Sequence, residues 1–186
     1  MVEAETSNPT QLTGAAGEAM AQVHLLMRGW VAANVNASVR NNAGFDLTAT
    51  KDSRTVTIAV KAIGRGQRQA QWGRPRQGKS GKRTLFAGDN YPHFVVFIWF
   101  TSKKDAKEKL TEHRCFIVPT DVVDRDVIAA DDHYLKHPRR DGGERAKTGT
   151  VIIDFLGDEK PSNIIYGFAH KWREYEDVWD LLEKPM

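Results

Sequence analysis

Cysteine is nearly absent from this chain: Cys115 is the single one among 186 residues. That excludes an internal disulfide and a zinc site built from several cysteines. Long apolar runs are missing too. The longest, Phe94 to Phe100, falls far below the roughly 20 residues a membrane-crossing helix needs. The opening stretch Met1 to Thr10 is polar, carries Glu3 and Glu5, and lacks the basic-then-apolar pattern of a secretion leader. The expected setting is therefore cytoplasmic, with no membrane partner. No glycine-rich phosphate loop is present, since Gly64-Arg65-Gly66 is too short to form one. The most informative gap is one of charge. Between Ser53 and Gly88 there is no Asp or Glu, while Arg54, Lys61, Arg65, Arg68, Arg74, Arg76, Lys79, Lys82 and Arg83 all fall there. The net charge is only +3, so the distribution carries the signal rather than the total. Acids gather later, in Asp121 to Asp132 and Glu174 to Glu183.

What is present reads as an ordinary globular chain, with 40% hydrophobic and 27% charged residues. Residues 1–12 read as a flexible tail and 13–186 as a single domain. Thr13 is a candidate N-cap for a helix over Gly14 to Arg28 that Gly29 stops. Ala16, Ala19, Met20, Val23, Leu26 and Met27 recur at helical spacing, which predicts that this stripe packs on a sheet. Trp30 to Val35 reads as a first strand. Leu47 onward and Thr55 to Lys61 read as two more, joined by a tight turn at Lys51-Asp52-Ser53. Residues 64–81 show no clean period and read as a long loop, with a short helical turn around Gln67 to Trp72. Phe94 to Phe100 is apolar on both faces, the mark of a central strand. A further strand follows at Arg114 to Val118, then a helix to about Lys136 capped by Thr120 or Asp121. A strand at Thr150 to Phe155 comes next, and a last helix over about Ala169 to Glu183 carries Trp172, Tyr175 and Trp179. The fold class this predicts is α/β, a mixed central sheet flanked by helices.

The stretch Gly44-Phe45-Asp46-Leu47, followed by Thr55-Val56-Thr57-Ile58-Ala59-Val60-Lys61, carries the candidate chemistry. Side chains alternate along a strand, so Thr55, Thr57, Ala59 and Lys61 share one face and Val56, Ile58 and Val60 the other. If the two strands pair, Asp46 and Lys61 project from the same side. This arrangement resembles the PD-(D/E)XK nuclease superfamily, in which an Asp begins one strand and an acid-x-Lys tripeptide ends the next. Asp46 and Lys61 match two of its positions, and Gly17-Glu18 matches the helical Glu of many members. Ala59 stands where the middle acid is expected. The resemblance implies a restriction-endonuclease-like αβββ core, here with extra C-terminal strands and helices.

The same resemblance implies a Mg2+ (or Mn2+) ion held by Asp46, the Val60 carbonyl and Glu18, with Lys61 orienting or activating the attacking water. It also implies an activity of metal-dependent DNA cleavage. A methyl group cannot ligate a cation, so Ala59 leaves three accounts: Glu18 completes the site, the chain is a pseudo-nuclease that binds nucleic acid or a protein partner without cutting, or the alanine is an engineered replacement. Read without the family, Glu18 is a solvated acid favoured by the helix dipole, Asp46 a turn residue and Lys61 an edge-strand lysine. Arg65, Arg68, Arg74, Arg76, Lys79, Lys82 and Arg83, with Trp72 among them, form a candidate nucleic-acid surface. Cations there neutralise phosphates and an aromatic can stack on a base. DNA is the expected partner, with RNA an alternative; a homodimer is compatible with the sequence, which does not decide the oligomeric state. Asp131-Asp132-His133 reads as a polar helix face rather than a metal cluster, His24 as structural, and Cys115 as inert.

Overall fold

A computed structural model describes residues 9–35, 44–64, 67–78, 81–86, 91–101, 112–137, 142–144, 149–155 and 168–185. The elements run α1 (Pro9–Met27), β1 (Val31–Asn34), β2 (Leu47–Lys51), β3 (Arg54–Ile63), β4 (Gln69–Gly73), β5 (Arg76–Gln77), β6 (Arg83–Thr84), β7 (Phe94–Phe100), β8 (His113–Pro119), α2 (Thr120–Lys136), β9 (Thr150–Asp154) and α3 (Phe168–Lys171). The fold is mixed α/β. Five strands form the central sheet in the order β1-β2-β3-β7-β8, with β3 and β7 parallel and every other neighbouring pair antiparallel. Two ribbons, β4-β9 and β5-β6, stand outside it.

Alternation along β3 divides the core in two. Val56 and Ile58, with Leu47 and Ala49 of β2, face α1 together with Val96 and Ile98 of β7. Ala59 and Ile63, with Val95, Phe97 and Trp99, face α2, β9 and the C-terminal turns. β7 lies between both layers and all seven of its residues are buried, as its two-sided apolar sequence predicts. Leu47 to Lys51 and Arg54 to Leu47's partner Ile58 close as a hairpin through Asp52, whose φ of 53° is the left-handed conformation that short Asp side chains tolerate.

α1 ends in a Schellman motif. Gly29 takes φ 80°, its N–H donates to the Leu26 carbonyl at 3.0 Å, and the Trp30 N–H donates to the Leu25 carbonyl at 3.0 Å. The stop predicted at Gly29 is thus in place. The start is not: the helix begins at Pro9 rather than Gly14, so Thr13 is an interior residue and not a cap. The buried face also differs from the expected stripe. Gly17, Ala21 and Leu25 are buried on the sheet, whereas Ala16, Ala19, Val23, Leu26 and Met27 are exposed. The reason is contact distance. A Cβ on Gly17 would lie 2.5 Å from the Ala62 Cβ, so the helix sits where only glycine lets its backbone meet β3. α1 is apolar almost all round, and periodicity alone cannot choose between its faces.

Three further expectations are corrected. Gln67 to Trp72 forms no helical turn, because Gln69 to Gly73 is a strand paired antiparallel with Thr150 to Asp154. That pairing is remote in sequence and leaves no local signal. Pro119, not Thr120 or Asp121, is the N-cap of α2. The C-terminus is not one helix but α3 followed by 3-10 turns at Arg173–Tyr175 and Trp179–Glu183, broken where Asp177 adopts φ 54°. Trp172 and Trp179 are still core residues, as expected.

The Gly17–Ala62 contact yields a paired test. Gly17→Ala adds about 1 kcal/mol of helix propensity, but overpacking costs about 1–3 kcal/mol, so chemical denaturation should find this variant less stable than the parent. Adding Ala62→Gly should recover stability, since the nearest remaining Ala62 backbone atom would lie 3.4 Å from the new Cβ.

Candidate active site

β3 has ten residues and β2 has five. Leu47 pairs with Ile58, so Ala59 to Ile63 run past the end of β2 and leave a sheet edge open to a cleft. Backbone groups alternate sides, and those of Ile58 and Val60 point toward β2. The Asp46 N–H donates to the Ile58 carbonyl at 2.9 Å, and the Val60 N–H donates to Asp46 Oδ2 at 2.6 Å. The carboxylate thus takes over where the strand ladder stops. Carrying the register one step beyond Leu47–Ile58 sets Asp46 opposite Ala59, on the face that Lys61 shares.

A cavity of about 910 Å³ lies along this overhang. Asp46, Ala59, Val60 and Lys61 line one wall, Glu18 on α1 another, and Gln67 to Trp72 a third. Glu18 Oε2 accepts a 2.7 Å hydrogen bond from Asn34 Nδ2 at the end of β1, which orients the acid into the cleft. The Lys61 ammonium lies 4.8 Å from the centre of the Trp72 ring, over its face. Burial pushes the Lys61 pKa below the ordinary lysine value, and the nearby Asp46 charge offsets part of that fall. The residues picked from sequence as Asp46, Val60, Lys61 and Glu18 therefore line one cavity, with Ala59 between them. Sequence reasoning missed Asn34. Its signal was a lone amide in the strand Val31-Ala32-Ala33-Asn34, a residue type strands disfavour. It also missed Gln67, Gln69 and Gln71, whose exposed amides rim the opening.

The basic window divides. Arg74 Nε and Nη2 donate to Asp131 of α2 at 3.0 and 2.7 Å, and Arg83 Nη2 donates to the same carboxylate at 2.5 Å while Nη1 donates to Asp132. Asp131 is 2% exposed, so within the polar helix face expected at 131–133 it is a buried ion-pair hub, while Asp132 and His133 stay partly exposed. Asp124, one turn-pair earlier on α2, accepts from Thr84 Oγ1, the Leu85 N–H and the Tyr91 hydroxyl at 2.6, 2.9 and 2.9 Å. Arg74 and Arg83 are thus clamps that fix their own strand ends to α2, not contacts aimed outward. Arg68, Arg76 and Lys82 are exposed, and Arg68 lines the cavity. Trp72 packs edge-on against Phe86 and Phe97, at 5.1 and 6.1 Å between ring centres, and serves as cavity wall. Arg65 and Lys79 lie outside the described residues.

One more cluster brings metal-ligand types together. Ligand-type atoms of His24 on α1 and of His113 and Cys115 on β8 all lie within 4.8 Å of one another. Its hydrogen bonding assigns it a structural role. Arg28 Nη1, which can only donate, is 3.2 Å from His24 Nδ1, so a neutral His24 carries its proton on Nε2 and donates it to His113 Nε2 at 2.8 Å. Metal-bound imidazoles instead aim their second N–H at an acceptor. Trp179 stacks on the His24 ring at 5.0 Å, closing the cluster. Burial pushes the Cys115 thiol up to about 12, which keeps it protonated and inert.

No protein-family model matches the chain, and no curated protein matches it in sequence. Among solved structures it is similar to a bacterial homing endonuclease, I-Ssp6803I, at 14% sequence identity and a TM-score of 0.50, over 94% of this chain and 93% of that one. At that identity the likeness is one of fold: the mixed α/β arrangement is shared with that endonuclease.

Two measurements check these assignments. Asp131→Ala leaves two arginines without their shared carboxylate and should lower stability by about 3 kcal/mol, the low end for loss of one partner in a buried ion pair, as read by urea unfolding. The pH dependence of stability follows from two histidines. Burial lowers the His24 pKa, helped by His113 and Arg28, and burial with Arg54 lowers that of His93. The unfolded chain therefore binds more protons than the folded one below the ordinary value of 6.5, so stability is full above that pH and lost as pH falls through it. The melting temperature should be level from pH 8 to 7 and decline below about 6.5. His24→Gln should make that decline shallower.

Proposed function

We propose that the chain is a metal-dependent phosphodiesterase acting on DNA, built on residues 13–186 as a PD-(D/E)XK-like domain. The observation that carries this reading is the β3 overhang, where Asp46, Val60, Lys61 and Glu18 border one cavity beneath a nuclease-like fold. The donor set suits a hard divalent cation such as Mg2+, because two carboxylates and a backbone carbonyl are all oxygen ligands. Asp46, Glu18 and the Val60 carbonyl would hold the ion. When bound, it would polarise the phosphate and lower the pKa of a coordinated water.

The chain's own groups do the rest. The Val60 N–H fixes the Asp46 carboxylate through one oxygen, and Asn34 fixes Glu18. Lys61, held over Trp72, positions the nucleophilic water or neutralises charge developing on the phosphate. Its lowered pKa brings the amine closer to the range in which it can also exchange a proton. Arg68, Arg76 and Lys82, with Arg65 and Lys79, would neutralise backbone phosphates, and the glutamine rim of β4 supplies uncharged donors beside them.

Ala59 favours a second reading. With a methyl group opposite Asp46 the cation site has one acid fewer than the family pattern, and a pseudo-nuclease that binds without cutting would keep everything else. Nicking of supercoiled plasmid with Mg2+ or Mn2+ separates the two. Under the first reading the parent nicks, Asp46→Asn and Lys61→Ala each lose about 10²-fold or more, and both variants bind DNA within a few-fold of the parent. Absence of nicking by the parent and by Ala59→Glu, with DNA binding retained, would favour the second reading. Binding itself should weaken with salt as though roughly three to five phosphate contacts form, not seven, because Arg74 and Arg83 are committed to α2. Affinity independent of salt would overturn both.

A further inference from the structure

We propose that the outward face of α1 is the surface through which two copies of this chain associate, around a two-fold axis passing near Ala19. The inference stands on the helix itself and does not require the nuclease reading. Leu12, Ala16, Ala19, Val23 and Leu26 follow one another at steps of four, three, four and three residues, the spacing of a helix–helix seam. All five are exposed. Leu12, Val23, Leu26 and Met27 are 56%, 48%, 52% and 79% exposed. A surface helix ordinarily turns charged residues outward. From Thr10 to Met27 the only Asp, Glu, Lys or Arg is Glu18, and it belongs to the cavity on the other side.

Charge decides what fits this face. A membrane-surface helix carries lysine and arginine on its flank, and this helix has neither. A nucleic acid or an acidic or basic protein would find no complementary charge. A second copy does match, because a two-fold interface must be complementary to itself and an uncharged stripe always is. Alanines occupy the middle of the seam, and their small side chains let two helices approach closely. The area is adequate. Four large apolar side chains about half exposed or more, with alanines between them, amount to roughly 500 Å2 per copy, so a pair buries on the order of 1,000 Å2, the threshold for a biological interface.

Sedimentation equilibrium on the full chain between about 1 and 100 µM tests the assignment, with Val23→Glu and Leu26→Lys as variants whose circular dichroism confirms the fold. The parent should be dimeric at the upper end, and the two variants together should weaken association at least tenfold. Ala19→Cys should form a covalent dimer on mild oxidation, while the parent, whose Cys115 is buried, should not. A parent that stays monomeric at 100 µM would overturn the proposal and give the face to another occupant. So would a dimer that neither charge variant disturbs and that Ala19→Cys fails to cross-link.

Discussion

The hydrogen bond from the Val60 N–H to the Asp46 carboxylate is the joint on which the site depends. A strand that outruns its neighbour exposes backbone donors and acceptors that have to be satisfied. Here the outrun is half of β3, and a side chain from the residue just before β2 meets the first exposed donor. One interaction thereby ends the ladder and holds a carboxylate at the sheet edge, within electrostatic reach of Lys61. The close approach of α1 at Gly17 then brings the next residue, Glu18, to the same edge from the other layer. The cavity is the space left between an interrupted sheet, a helix and the β4–β9 ribbon, and each wall has a separate local cause.

Charge in this chain is segregated along the sequence but paired in space. The acid-free stretch from Ser53 to Gly88 and the acid-rich helix α2 are complementary partners, joined through Asp131 to Arg74 and Arg83. Asp126 plays a matching part on the other flank, accepting from the Trp172 indole at 2.9 Å and pairing with Lys171 at 3.3 Å. α2 is therefore a spine whose buried carboxylates tie down segments with little regular structure of their own. A run of basic residues looked like a nucleic-acid surface, but part of it is internal scaffolding. What faces outward is the smaller set of Arg68, Arg76 and Lys82 among the described residues.

Much of this was legible in the sequence wherever the cause is local. The β2–β3 hairpin follows from its turn and its alternation, β7 from its doubly apolar run, and the end of α1 from Gly29. Asp46 and Lys61 could be assigned to one face because strand periodicity requires it. The unreadable parts have non-local causes. Nothing near Gln69 announces a partner strand at Asp154, and nothing near Arg74 announces Asp131. The buried face of α1 was misjudged for a related reason: its apolar residues outnumber one face, and the choice was made by a glycine meeting Ala62. The C-terminal aromatic segment has helical spacing but packs as separate turns, since each tryptophan is held by its own partner, Asp126 for Trp172 and Asp177 for Trp179.

The β4–β9 ribbon joins residues 85 positions apart at Gln69 and Asp154, whereas α1, β1, β2 and β3 contact one another within a single short span of chain. Contacts that close such long loops form late, because chain entropy opposes them until the rest is in place. The layer holding Asp46, Lys61 and Glu18 can thus assemble early, and the wall opposite it arrives last. The cleft is thus closed by contacts across a long loop, over a floor drawn from one short span of chain.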